Sequence, residues 1–184
     1  NAQIVNEGKI FEGSVVIVDE LIDEILEADA LPSGVCDEII DAQGHYLIPG
    51  VIDDHVHFRD PGLTHKADMH TESIAAVAGG VTSYMDMPNT NPQTTTIEAL
   101  NDKFADAAQK SVANYSFYFG ATNNNEGVLA HLDKKRVCGI KLFMGSSTGN
   151  MLVDRMDSLK YIFAHAGMLI ATHCEAQDII NENI

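Results

Sequence analysis

Positive charge is scarce in this chain. Its 184 residues hold 11 Lys and Arg against 27 Asp and Glu, a formal charge of −16 with a pI near 4.6. That balance argues against polyanionic partners, since an acidic chain gains nothing electrostatically from nucleic acid or an anionic membrane. No apolar run approaches the roughly 20 residues of a membrane-spanning helix. No basic-then-apolar signal segment opens the sequence. Cysteine is limited to Cys36, Cys138 and Cys174, an odd number without a Cys-x-x-Cys spacing. Such usage suits reduced thiols in a cytoplasmic protein. There is no repeat and no low-complexity stretch. A starting Met is also lacking, and residues 1–5 read as a strand entered partway.

What is present is enough apolar material for a sizeable core, 45% of the residues. Residues 1–48 are strand-like, with short runs separated by Gly8, Gly13, Pro32-Ser33-Gly34 and Gly44, and suggest a small β unit. From Pro49-Gly50 onward the rhythm alternates strand and helix. The patterns predict strands over 51–57, 81–87, 115–119, 137–143 and 169–173. They predict helices over 68–78, 97–109, 126–132, 158–166 and 175–183. Gly79-Gly80 closes the first helix. The second has a threonine cap at 94–96 and Leu100, Phe104 and Ala107 on one face. Five βα units with apolar strands argue for a parallel sheet. A (β/α)8 barrel takes about 250 residues, so 49–184 reads as the first part of such a barrel, truncated to about five units. A five-stranded doubly wound sheet is the alternative. Polar residues at the C-terminal strand ends favour the barrel, whose chemistry sits there.

His55-Val56-His57-Phe58-Arg59-Asp60-Pro61-Gly62 follows the apolar run 47–52 directly. Alternate side chains of a strand share a face, so His55 and His57 are expected to point one way, with Asp53 below and Arg59 above. A His-x-His pair on a strand is more often two ordinary histidines than a metal site. Two imidazoles at a buried strand end are nevertheless able to chelate a metal, with the arginine holding an anionic substrate beside it. Asp53 is a candidate to orient a ligating histidine.

Lys141 lies inside the apolar run 139–143, where a bare ammonium is costly. On an edge strand it would snorkel outward. In a barrel it points inward, as a neutral base, a Schiff-base amine, or a lysine carbamylated by CO2. His173 closes the fifth strand, with Leu169 and Ala171 as its inward neighbours, and is a further metal-ligand candidate. Asn89, in Met87-Pro88-Asn89-Thr90, is a turn residue by type, but it falls on the same rim. The segment 145–150 reads as a rim loop. His45, His65, His70, His131 and His165 receive no function.

Together these segments resemble the dihydroorotases of the amidohydrolase superfamily. The likeness is carried by Pro49–Asp53, His55–Gly62, Ala78–Thr82, Asp86–Pro92, Gly139–Phe143 and Thr172–Glu175. His-x-His marks the whole superfamily, whereas His-Phe-Arg-Asp-Pro-Gly paired with Met-Pro-Asn-Thr is more specific. The resemblance implies that 1–48 is the N-terminal part of a small β-sandwich domain, ahead of a metal-dependent hydrolase barrel, with the segment that completes the sandwich expected beyond Ile184. It implies a zinc-dependent cyclic amide hydrolase, converting dihydroorotate reversibly to N-carbamoyl-aspartate in pyrimidine synthesis. Two Zn2+ are implied, one held by His55 and His57, the second by His173, with Lys141 as a bridging carbamate. Arg59 and Asn89 would hold the substrate carboxylate. The general acid–base aspartate and one further metal-binding histidine are expected beyond Ile184, so the chain as it stands is expected to be inactive. The partners implied are the small-molecule substrate and either a second copy of the chain or aspartate transcarbamoylase. Two rival readings are an allantoinase- or hydantoinase-type hydrolase and a non-catalytic dihydroorotase-like scaffold subunit.

Overall fold

The computed structural model describes residues 1–145 and 149–184. The rim loop expected at 145–150 thus falls in part, at 146–148, outside the described residues. Two compact units divide the chain, Asn1–Gly50 and Val51–Ile184.

The first unit is a single four-stranded sheet; among the described residues it has no second sheet facing it, as a sandwich would. It comprises β1 (Ala2–Asn6), β2 (Lys9–Val18), β3 (Leu21–Glu27) and β4 (Tyr46–Leu47), in the order β3-β2-β1-β4. β1 and β2 are antiparallel and joined at Glu7-Gly8, where both residues have positive φ, 49° and 75°. That is the backbone of a turn whose twist matches a hairpin. β4 adds parallel to β1.

The second unit alternates strand and helix throughout. Its elements are β5 (Val51–Val56), α1 (Met69–Ala78), β6 (Val81–Asp86), α2 (Ile97–Lys110), β7 (Asn114–Gly120), α3 (Glu126–Leu129), β8 (Val137–Phe143), α4 (Met156–His165), β9 (Ile170–His173) and α5 (Gln177–Glu182). The five strands pair in parallel and in chain order, β5-β6-β7-β8-β9. A doubly wound sheet reverses its order at a switch point; no reversal occurs here, so that alternative does not hold. The result is an α/β fold with a parallel half-barrel sheet.

Its core is made where both sheet faces are covered. Phe117, Phe119, Ile140 and Leu142 on β7 and β8 are buried, packed with Met69, Leu100 and Ile162 from the helices. Asp68 caps α1 by accepting the Thr71 N–H at 2.9 Å. Thr96 caps α2 through the Ala99 N–H at 3.1 Å. The buried face of α2 consists of Leu100, Lys103 and Ala107. Phe104, expected on that face, is half-buried and packs against the core beside Phe117, and a lysine joins the face at a fully buried position. Among the described residues no helix is long and apolar enough to cross a membrane.

Candidate active site

His55 and His173 lie at the C-terminal ends of β5 and β9, Lys141 two residues inside the end of β8, and His57, Arg59 and Asn89 just beyond β5 and β6, whereas Asp53 is mid-strand. β5 ends at Val56, its register against β6 already shifted between Asp53 and Val56. Simple strand alternation therefore does not run through to Arg59. The two histidines still adjoin, with ring centroids 5.3 Å apart and planes tilted by 51°. His57 Nδ1–H donates to Asn89 Oδ1 at 2.8 Å. Burial holds His57 below the ordinary imidazole range; the Asn89 bond opposes this and the nearby Arg59 charge adds to it. A neutral ring with its Nδ1 proton committed leaves Nε2 as a free lone pair, the form in which histidine binds metals. The orienting partner is thus Asn89. Asp53, expected in that role, accepts the His55 backbone N–H at 3.1 Å instead, a local bond that aspartate readily makes to the backbone two residues on.

Beyond His57 the chain is fastened residue by residue. The Phe58 N–H donates to Asp86 Oδ1 at 2.9 Å. Asp86 pairs with Lys103 at 2.6 Å, both side chains fully buried. Lys103 also donates to the Met87 carbonyl at 3.0 Å and lies 4.7 Å from the Phe117 ring centre. Burial pulls the Lys103 ammonium below the ordinary lysine range, and Asp86 opposes the shift. Arg59 stands at φ 65°, in the left-handed region. Asp60 follows, buried, and pairs with Lys110. The next loop is pinned against this one, since Asn91 N–H donates to the Pro61 carbonyl at 3.0 Å. Gly62, at φ 80°, lies so close to Asn91 that a Cβ would fall on its carbonyl oxygen. The loops that carry Arg59 and Asn89 are therefore interlocked.

Lys141 and His173 both lie near the Phe143 ring. Lys141 is 3% exposed. Its Nζ lies 5.0 Å from the Phe143 ring centre, and burial pushes its pKa below the ordinary value, with Cys174 partly opposing. Among the described residues it has no hydrogen-bond acceptor and no carboxylate partner. His173 pairs with Phe143 across the β8–β9 ladder, its ring 6.1 Å from the phenyl ring and its Nε2 3.2 Å from Glu175 Oε1. Leu169, expected as an inward neighbour of His173, precedes β9 and is largely exposed. Among the described residues no three His, Cys, Asp or Glu side chains converge into a metal-sized cluster.

Residues 44–183 match the family model of dihydro-orotase-like proteins. The chain belongs to that family. An allantoinase of Desulfitobacterium hafniense is 35% identical over 188 residues, which is 99% of this chain and 41% of that protein. A dihydroorotase of Methanothermobacter thermautotrophicus is 34% identical over 152 residues, 80% of this chain and 33% of that one. Among solved structures, the L-hydantoinase of Arthrobacter aurescens matches with a TM-score of 0.88 at 30% identity, covering 99% of this chain and 41% of its own. The dihydro-orotase-like chain thus spans about two fifths of the length of the allantoinase and the hydantoinase that it matches.

Sequence reasoning did not assign the carboxylates and lysines that support this dihydro-orotase-like site. Asp60 and Asp86 lie inside its recognisable segments, while Lys103 and Lys110 are the sole cations of α2. The signal was there: both lysines follow the same helical spacing as Leu100 and Ala107.

Proposed function

We propose that this chain supplies the substrate-binding and metal-binding rim of a dihydroorotate-hydrolysing barrel. The observation that supports the reading is the interlock of two loops: the Asn91 N–H on the Pro61 carbonyl joins the segment that carries Arg59 to the one that carries Asn89. With Asn89 Oδ1 engaged by His57, its amide hydrogens are left to donate to a carboxylate. Arg59 offers the same group a two-pronged, charge-assisted contact. Five βα units in unreversed order are what the first part of a (β/α)8 barrel requires.

The residues fit a metal in part. His55 and His57 adjoin, with the His57 tautomer already set. His173 and Lys141 stand at the ends of β9 and β8. In this reading His55 and His57 would hold one zinc, His173 would help hold a second, and Lys141, as its carbamate, would serve as a ligand to both. Carbamylation joins the neutral lysine nitrogen to the carbon of CO2 and releases a proton. Burial favours it by depressing the ammonium form of Lys141. Zinc bound there would supply a hydroxide near neutral pH and polarise the scissile carbonyl. The chain's own part is to hold the acid group of the substrate on Arg59 and Asn89, so that the ring amide faces the histidines.

A second reading, an enzyme opening allantoin or hydantoin, is favoured by the likeness to an allantoinase and an L-hydantoinase along nearly the whole chain. Relative kcat/KM for dihydroorotate, allantoin and hydantoin, measured on the zinc-loaded full-length protein carrying this sequence, decides between them. Dihydroorotate is expected to lead. Preference for either of the other rings would overturn the first reading.

A further inference from the structure

Two lysines on one face of α2 each end on a carboxylate tied to the chain beside Arg59: Asp86, which accepts the Phe58 N–H, and Asp60. Lys103 and Lys110 lie about two helical turns apart and project from the same side. Lys103 grips Asp86, whose other oxygen accepts the Phe58 N–H. Lys110 Nζ lies 3.2 Å and 3.1 Å from the two Asp60 oxygens and 3.2 Å from Asp106. Asp60 Oδ2 also accepts the Met69 N–H, 3.3 Å away at the start of α1. The chain is thus fastened immediately before and immediately after Arg59. Between these ties Arg59 keeps a positive φ, a conformation uncommon for a residue other than glycine, and its carbonyl accepts the Leu63 N–H at 3.0 Å.

We infer that Lys103 and Lys110 are positioning residues for substrate recognition: acting through Asp86 and Asp60, they hold Arg59 in its left-handed conformation and so aim its guanidinium at the acid group of the cyclic amide. The inference rests on reading Arg59 as the carboxylate-binding residue. If a tie is cut, the segment around Arg59 relaxes toward ordinary negative φ and the guanidinium swings with it. The loss then falls on holding the acid and spares bond cleavage.

Lys110 is the better probe, because its side chain is 38% exposed, whereas a Lys103 variant risks the fold. In the full-length protein, Lys110→Met is expected to raise KM for dihydroorotate about tenfold while leaving kcat within about twofold. Inhibition by dihydrouracil, the same ring without the acid, and metal content should both stay unchanged. Lys110→Arg should restore KM. An unchanged KM would overturn the inference. So would a parallel fall in kcat and in dihydrouracil affinity, which would mean general packing. Arg59→Met run beside it separates the two ideas. If Arg59→Met selectively weakens dihydroorotate and Lys110→Met does not, the brace fails and the carboxylate reading stands. If Arg59→Met leaves acid recognition intact, the reading fails and the brace falls with it.

Discussion

Lys141 is the residue whose chemistry depends most on its surroundings. A lysine within an apolar run is visible in the sequence; its lack of a carboxylate partner among the described residues is not, because that depends on what neighbouring strands bring. As a carbamate it should add the mass of CO2 under native conditions. Lys141→Arg should then lose both zinc and turnover by orders of magnitude, measured by elemental analysis and assay; retention of both would rule the bridging role out. The histidine pair was legible because its members are almost contiguous. The partner of His57 was not: Asp53 is near in sequence, Asn89 is near in space, and only the pairing of β5 with β6 tells them apart. Cysteines also differ by setting. Burial pushes the Cys138 thiol up to about 11, so little thiolate exists at pH 8, while Cys174 is exposed. Iodoacetamide at pH 8 should label Cys174 much faster than Cys138, and denaturant should abolish the difference.

Helices and strands were legible to within a residue or two wherever an apolar period met a cap, as at Asp68 and Thr96. The main discrepancy within α2 is instructive. A lysine reads as a solvent-facing residue, and its burial is made tolerable by partners outside its helix, the Asp86 carboxylate and the Met87 carbonyl. Lys103→Met should leave that carboxylate buried and unpaired, costing about 3–5 kcal/mol of stability, readable as a lowered urea midpoint. The interlock at Gly62 makes a second forecast at this scale. Gly62→Ala sets a Cβ against the Asn91 carbonyl at a positive φ. It should cost about 1–3 kcal/mol and weaken dihydroorotate binding, because the two rim loops have to part. Unchanged stability would mean that the loops are not locked together.

The boundary between the two units at Gly50 follows the change of rhythm after residue 48, a compositional signal that survives folding. Less legible is how much apolar surface each unit leaves open. Val51 and Ile52 on β5, and Leu169 beside β9, are 49%, 62% and 61% exposed, and β5 and β9 are the outer strands of their sheet. Unpaired parallel edges of this kind invite association. The isolated 184-residue chain should therefore bind a hydrophobic dye and grow in apparent size with concentration on gel filtration; a dye-silent monomer would count against it. Charge is also distributed unevenly. Four of the eleven cations, Arg59, Lys103, Lys110 and Lys141, are withdrawn wholly or partly from solvent; Lys103 and Lys110 are matched by Asp86, Asp60 and Asp106, so in the proposed reading the positive charge offered to a ligand is that of Arg59, on a chain whose net charge is strongly negative. An anionic ligand approaching from afar is thus repelled before it is attracted. Added salt shrinks the screening length from about 30 Å at 0.01 M to about 8 Å at 0.15 M. That should dampen the distant repulsion more than the contact attraction, and the association rate of dihydroorotate should rise with ionic strength rather than fall.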